Sequence, residues 1–395
     1  MTKNYYFLTI SGIDRPGITS MLTQEIAKAG HDLIDIGQSV LLDYLTLSAL
    51  VELHVDQEEE FFKSLLFQCK VKNLNFEYRK RPETAPVEDN TPSRAEPNRF
   101  ILTCVSLDKL HAPFITELTK ELYKHNFNIE KIHNATYLKN FRILEIGIAA
   151  TSLSDSYAVK EKILALASSY NTDVAVVDND LFRFNKRLIV FDMDSTLIEQ
   201  EVIDELARLN GQYDKVQAIT HQAMNGQLDF KQSLMQRVAL LEGLSVDSIE
   251  TLKEKLTFTA GTRECIKKLK SLGFKTAIIS GGFKPFTEYA RKQLDIDYDF
   301  GNTLEVTDNK LNGKVTLPII DAQEKANILS HLALREGIQL KQTVAVGDGS
   351  NDLIMLKTAG MGIAFHAKEV VQKKSQYQLN HGPMTSILPM LGLAT

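Results

Sequence analysis

The sequence predicts a Rossmann-like parallel α/β sheet with an inserted helical cap, preceded by two ferredoxin-like βαββαβ units. Three observations predict it. Between residues 187 and 395, short apolar runs end at polar loops: LIVF at DMDST, KTAII at SGG, and TVAV at GDGSND. Strands that end this way, with helical patterns between them, belong to parallel sheets whose site lies at the strand C-termini. Before residue 180 a strand–helix–strand–strand–helix–strand order occurs twice, and the opening stretches YYFLTISGIDRPGI and RFILTCVSLDKLHA are alike. Residues 201–256 are helical in pattern but too long for one crossover, which calls for an insertion.

The elements follow from period and punctuation. In the first unit, residues 5–10 read as a strand, GIDRPG as a turn and 18–29 as a helix. Residues 39–54 hold two β-like stretches around Asp43-Tyr44, 58–69 a helix and 75–79 a last strand. Residues 81–98, RPETAPVEDNTPSRAEPN, carry four prolines and almost no large apolar side chain, so they cannot offset ordering entropy and read as a linker. The second unit repeats the order. Its strand is at 100–106, its helix at 113–125, and a hairpin of 133–138 with 142–149 turns at Lys139-Asn140. A helix at 156–169 and a strand at 173–177 complete it. The expected division is 1–80, a linker at 81–98, 99–180, and an α/β domain at 187–395 with its cap at about 201–258.

Composition narrows the function classes. The 395 residues are 44% hydrophobic and 24% charged, as in ordinary folded proteins. A net charge of -5 provides no basic field for nucleic acid. Cys69, Cys104 and Cys265 are scattered, which fits neither a disulfide framework nor metal-ligand spacing and points to a reducing compartment. No apolar run resembles a signal peptide or approaches the roughly 20 residues of a membrane span. The expectation is a cytoplasmic protein with no membrane or nucleic-acid partner.

The chemistry lies at the strand ends. In Asp192-Met193-Asp194-Ser195-Thr196, the DxD spacing puts two carboxylates on one face of an extended chain. They could hold a hard cation, or act as nucleophile and acid/base. Alone, such a pair reads better as a solvated turn at a strand end. Gly347-Asp348-Gly349-Ser350-Asn351-Asp352 adds two carboxylates at another strand end. Charge concentrated in this way calls for a divalent cation. Ser280-Gly281-Gly282 offers a hydroxyl and backbone N–H groups suited to phosphate oxygens. Lys325, taken alone, reads as a solvated helix residue.

DMDST, SGG, a lysine and GDGSND, in that order, resemble the four motifs of haloacid dehalogenase-type (HAD) phosphatases. The strings FDMDSTLIEQEVIDELA and LDFKQSLMQRVALL resemble those of the phosphoserine phosphatases in particular. Generic members often carry DGT where this chain has Asp194-Ser195-Thr196. The resemblance implies Asp192 as nucleophile, Asp194 as acid/base, and Mg²⁺ held by Asp192, Asp348 and the Asp194 backbone carbonyl. It implies Ser280, Gly281 and Lys325 on the phosphoryl oxygens, with Asn351 and Asp352 in support. In the cap it implies Glu201 on a substrate ammonium, Arg237 on its carboxylate and Phe230 packed over it. The implied substrate is O-phospho-L-serine, hydrolysed as the last step of L-serine synthesis. On spacing alone, Glu201 and Arg237 are a helix-surface ion pair worth little.

The βαββαβ units resemble ACT domains, which often bind amino acids. Asp14-Arg15-Pro16-Gly17 matches the usual strand-to-helix loop, where Gly17 gives a ligand room; a plain structural turn is nearly as good a reading. The second unit has Leu107-Asp108-Lys109-Leu110-His111-Ala112 there, without the glycine. The resemblance implies an L-serine or other amino-acid effector and a homodimer. Two other functions stay open: a phosphatase for another small phosphorylated metabolite, and an amino-acid sensor with a decayed hydrolase. The intact Asp192, Asp194, Lys325 and Asp348 argue against the second.

Overall fold

The computed structural model describes residues 3–81, 98–107, 109–134, 142–150, 156–224, 227–375 and 377–393. The 81–98 linker (apart from its end residues), the 139–140 turn and Asp108 lie outside the described residues. The first N-terminal unit is β1 (Lys3–Ile13), α1 (Ile18–Lys28), β2 (Asp32–Leu41), β3 (Tyr44–His54), α2 (Glu58–Val71) and β4 (Asn75–Lys80). Its antiparallel sheet runs β2-β3-β1-β4. Leu8 and Ile10 of β1 and Leu47 and Val51 of β3 meet Leu22 of α1 and Leu65 of α2 in one core. Gly17 caps α1 at φ 93°, which favours glycine, and a Cβ there would meet nothing within 4 Å. The backbone conformation, rather than crowding, explains the glycine.

The second unit repeats the pattern as β5 (Asn98–Ser106), α3 (Ala112–Lys124), β6 (Phe127–Asn134), β7 (Arg142–Ala150), α4 (Ser156–Ser169) and β8 (Thr172–Asp178), in the sheet order β6-β7-β5-β8. Two strands start earlier than the sequence indicates: β2 at Asp32 rather than 39, and β6 at Phe127 rather than 133. Both are edge strands, and both are largely exposed, so burial imposes no alternation of apolar and polar residues there.

The α/β unit is built on a six-stranded sheet of β9 (Leu188–Phe191), β10 (Lys275–Phe283), β11 (Tyr298–Asn302), β14 (Thr343–Gly347), β15 (Met361–Phe365) and β16 (Tyr377–Leu379). The order is β11-β10-β9-β14-β15-β16, and neighbouring strands run parallel throughout. A hairpin, β12 (Leu304–Thr307) and β13 (Lys310–Val315), stands apart. Every residue of β9, β14 and β15 is buried, as expected where helices cover both faces of a parallel sheet. The cap is α5 (Val202–Leu209), α6 (Tyr213–Met224), α7 (Phe230–Ala239) and α8 (Val246–Glu254). The chain enters and leaves it side by side, with Glu199 N donating to Thr257 O and Thr259 N to Leu197 O, both at 3.0 Å. The core helices are α9 (Thr262–Ser271), α10 (Lys284–Leu294), α11 (Ala322–Arg335), α12 (Leu353–Thr358), α13 (Glu369–Lys374) and α14 (Ile387–Met390).

The second N-terminal unit does not stand free of this sheet. Ala175 and Val177 of β8 share the hydrophobic core that contains Phe191, Phe365 and Met390. Buried Asp173 accepts from the Asn380 N–H at 2.7 Å, His381 at 3.2 Å and Gly382 at 3.1 Å. Among the described residues no helix is long and apolar enough to cross a membrane.

Candidate active site

Asp192 follows the central strand β9. Its Oδ1 accepts from the Met193 amide at 2.8 Å and pairs with Lys325 Nζ at 2.9 Å. Lys325 comes from α11, is fully buried, and also pairs with Asp352 Oδ1 at 2.7 Å. Burial disfavours its charge, but Asp192 and Asp352 reverse that and hold its pKa above the usual lysine value. The ammonium is therefore a fixed positive charge directly against Asp192.

Asp194 points away from that pair. Its Oδ1 accepts from the Val202 amide at the start of α5, at 2.9 Å, and its Oδ2 from Ser280 Oγ at 3.4 Å. Burial foremost, then the charges of Glu201 and Asp192, push its carboxyl well above the usual carboxylate range. An aspartic acid that keeps its proton is what a leaving oxygen requires. Gly282 is tied to the same arrangement: its N–H donates to Ser280 Oγ at 2.9 Å, and a Cβ there would lie 2.5 Å from Asp194 Oδ2.

Asp192, Asp348 and Asp352 each offer an oxygen within 4.8 Å of the others. Burial and the charges of Asp192, Asp352 and Glu201 push Asp348 up to about 8, and burial and Asp192 push Asp352 up to about 7. Oxygen donors at this density suit a hard divalent cation such as Mg²⁺. Asp352 has both oxygens engaged, one by Lys325 and the other by the Gly349 N–H at 3.0 Å. Asp192 and Asp348 are therefore the carboxylates placed to ligate. The Asp194 side chain lies outside this trio, so only its backbone carbonyl remains for the role expected of it.

A cavity of about 550 Å³ opens onto Asp192, Asp194 and Asp348, and Glu201, Phe230, Arg237, Ser280, Gly281 and Asn351 also line it. Lys325 and Asp352 lie behind this wall, fully buried. The cap closes down at Gly281, where a Cβ would lie 2.9 Å from Phe230 Cζ. Glu201 accepts from Ser195 Oγ at 2.8 Å, and burial, partly offset by that bond, raises its pKa. Arg237 donates through Nε to Ser233 O at 3.3 Å. Asp204, Gln217 and Lys368 line the same cavity and were not expected from the sequence. Lys368 caps α13 just beyond β15, and its charge partly offsets the rise at Glu201. Reading MGIAF as a further strand ending at a polar loop would have found it.

Residues 186–360 match the family model of haloacid dehalogenase-like hydrolases, and residues 4–79 match that of the ACT domain. A phosphoserine phosphatase of Streptomyces coelicolor is 34% identical over 392 residues, 97% of this chain and 91% of the relative. A HAD-family hydrolase of Salmonella enterica serovar Typhi superposes with a TM-score of 0.66 at 32% identity, covering 74% of this chain and 98% of its own. A phosphoserine phosphatase solved as a phospho-aspartyl intermediate analogue superposes with a TM-score of 0.50 at 43% identity, over 52% of this chain and 98% of its own. Because the likeness to the Streptomyces protein runs through both the N-terminal repeat and the strand-end motifs, the chain belongs to the phosphoserine phosphatases, HAD hydrolases that here carry an N-terminal ACT domain.

Proposed function

We propose that the chain hydrolyses O-phospho-L-serine to L-serine and inorganic phosphate through an aspartyl-phosphate on Asp192. One observation carries the substrate. Glu201 and Arg237 line one cavity with Asp192 and Asp194, and among the described residues they form no ion pair with each other. An anion and a cation left unpaired beside a phosphoryl site match the ammonium and carboxylate of a phosphorylated amino acid. A sugar phosphate offers neither group.

The Asp192 carboxylate attacks phosphorus, and the bond from phosphorus to the seryl oxygen breaks. Asp194 gives its proton to that oxygen; as a carboxylate, it then takes a proton from the water that cleaves the aspartyl-phosphate. Ser280 and Gly281 hold phosphoryl oxygens, and Lys325 stabilises the site from behind Asp192. Asn351 and Asp352 support the arrangement, and Phe230 covers the amino acid. Asp192, Asp348 and the Asp194 carbonyl would hold Mg²⁺. When bound, it offsets the repulsion between a carboxylate nucleophile and a phosphate dianion. We further propose a cytoplasmic homodimer whose ACT unit takes an amino-acid effector at the loop around Asp14 and Gly17.

Phosphate release is the test, measured on O-phospho-L-serine and a panel of sugar phosphates, with Mg²⁺ and with EDTA. A strong Mg²⁺-dependent preference for phosphoserine is expected. Release from other phosphates only would discard the substrate and keep the chemistry; no release from any would discard both.

A further inference from the structure

A second, smaller cavity lies away from the active site. It measures about 90 Å³ and is lined by Arg183, Lys186 and Lys341, by Asp178 and Asp180, and by an apolar wall that includes Met361. None of its lining residues lines the catalytic cavity. Lys341 precedes β14 and Met361 opens β15, whereas Asp192 and Asp348 follow the ends of β9 and β14. The cavity is therefore at the opposite end of the parallel sheet from the catalytic carboxylates. It sits at the seam with the second N-terminal unit, whose last strand ends at Asp178.

Its cations are held in place with donors to spare. Arg183 is buried, pairs through one terminal nitrogen with Glu145, and lies over the Phe184 ring at 4.5 Å. Its Nε is also buried and finds no hydrogen-bond partner. Lys186 donates through Nζ to Lys341 O at 2.6 Å, which sets the two lysines side by side. The Lys341 ammonium stands 5.2 Å from the centre of the Phe182 ring. Asp180 turns one oxygen to its own loop, where it accepts from the Phe182 N–H at 2.8 Å. Among the described residues, neither Asp178 nor Asp180 forms an ion pair with any of the three cations. Burial lowers the Lys186 pKa, Asp180 and Asp178 oppose that, and Lys341 adds to it. Ammonium and guanidinium groups donate and never accept, so a small space bounded by three of them suits an acceptor that carries negative charge. We propose that this cavity binds a compact oxyanion, either free phosphate or the carboxylate of a small metabolite. Arg183 Nε supplies a fixed hydrogen bond, and Lys186 and Lys341 supply charge.

The test is equilibrium dialysis of the full chain against labelled inorganic phosphate and, separately, labelled acetate, in EDTA at constant ionic strength. One saturable ion per chain is expected. Lys186→Gln combined with Lys341→Gln should weaken it at least about tenfold, since each substitution removes a charged donor. Lys341→Gln alone changes an exposed side chain, serves if the double variant folds poorly, and should weaken binding several-fold. Ser280→Ala alters the catalytic cavity only and should bind as the unaltered chain does. Binding of phosphate alone identifies free phosphate as the ligand, and binding of acetate alone a carboxylate. Binding of both supports the shared oxyanion chemistry. No saturable binding of either ion would mean that the cavity holds only water, and would overturn the proposal. Undiminished affinity in the lysine variants would overturn it too. So would loss of binding in Ser280→Ala, which would put the ion at the catalytic centre. None of these outcomes bears on the hydrolysis of O-phospho-L-serine, so the two readings stand or fall separately.

Discussion

The Ser195 hydroxyl donates to Glu201 Oε1 at 2.8 Å from a backbone held at φ 53°. A non-glycine residue in that region is strained by about 1 kcal/mol. Many HAD phosphatases carry glycine at this position, which relieves the strain and leaves nothing to hold Glu201. Ser195→Gly should therefore raise the melting temperature slightly while raising KM for phosphoserine several-fold. With p-nitrophenyl phosphate, which has no ammonium, KM should stay unchanged. Thermal unfolding and the two KM values together check this; an unchanged phosphoserine KM would remove the serine's role.

Gly282 tests the acid. A methyl group there would lie 2.5 Å from Asp194 Oδ2 and 3.0 Å from Ser280 Oγ, so the carboxyl must move. Positioned proton transfer contributes at least about a hundredfold to such reactions, and Gly282→Ala should lose about that much in kcat. The loss should be smaller for p-nitrophenyl phosphate, whose leaving group needs little protonation. Equal losses on the two substrates would mean that the methyl group disturbs the nucleophile instead.

The strand ends were legible because they break the local rules. Asp192, Asp194, Asp348 and Asp352 gather carboxylates after two apolar runs, which a solvated turn at a single strand end does not explain. The cap itself was legible from the length of its helical stretch, but its site residues only through resemblance. Glu201 caps the start of α5 and Arg237 lies on α7, both amid ordinary charge patterns, and Asp204 has the spacing of any surface acid. What sets them apart is that three helices converge on one cavity, which no single stretch of sequence encodes. The edge strands β2 and β6 were misplaced for the opposite reason, since their exposed residues carry no alternation to read.

Asp173 joins the second repeat to the α/β sheet through three backbone N–H groups at residues 380–382. Removing the carboxylate leaves three donors to be satisfied in a buried seam. Each unsatisfied group costs about 1–3 kcal/mol, so Asp173→Ala should lower stability by several kcal/mol. Asp173→Asn keeps an acceptor and should fall between. Urea unfolding of the full chain measures both. If neither variant shifts the midpoint, the seam contributes little to stability.

His31 gives the first N-terminal unit a pH dependence of its own. The ring is 7% exposed, and neither nitrogen has a hydrogen-bond partner. His54, with its own Nδ1 unpartnered, stands 6.0 Å away, and the Phe61 ring meets His31 edge-on at 5.3 Å. Burial, then the His54 charge, lowers the His31 pKa, against a smaller upward pull from Asp32 and Glu58. An unfolded histidine titrates near about 6.5. Above that pH both states are neutral at this ring, and the unit keeps its full stability. As pH falls below it, the unfolded chain takes up the proton first, and stability declines through the lowered native value. Relative to intrinsic exchange, protection of the amides in β3 and α2 should therefore fall between about pH 7.5 and 5.5. His31→Phe keeps an aromatic ring against Phe61 and cannot take up a proton. It should raise protection at both pH values and flatten the difference between them. A variant that retains the full wild-type slope would move the titration to another group.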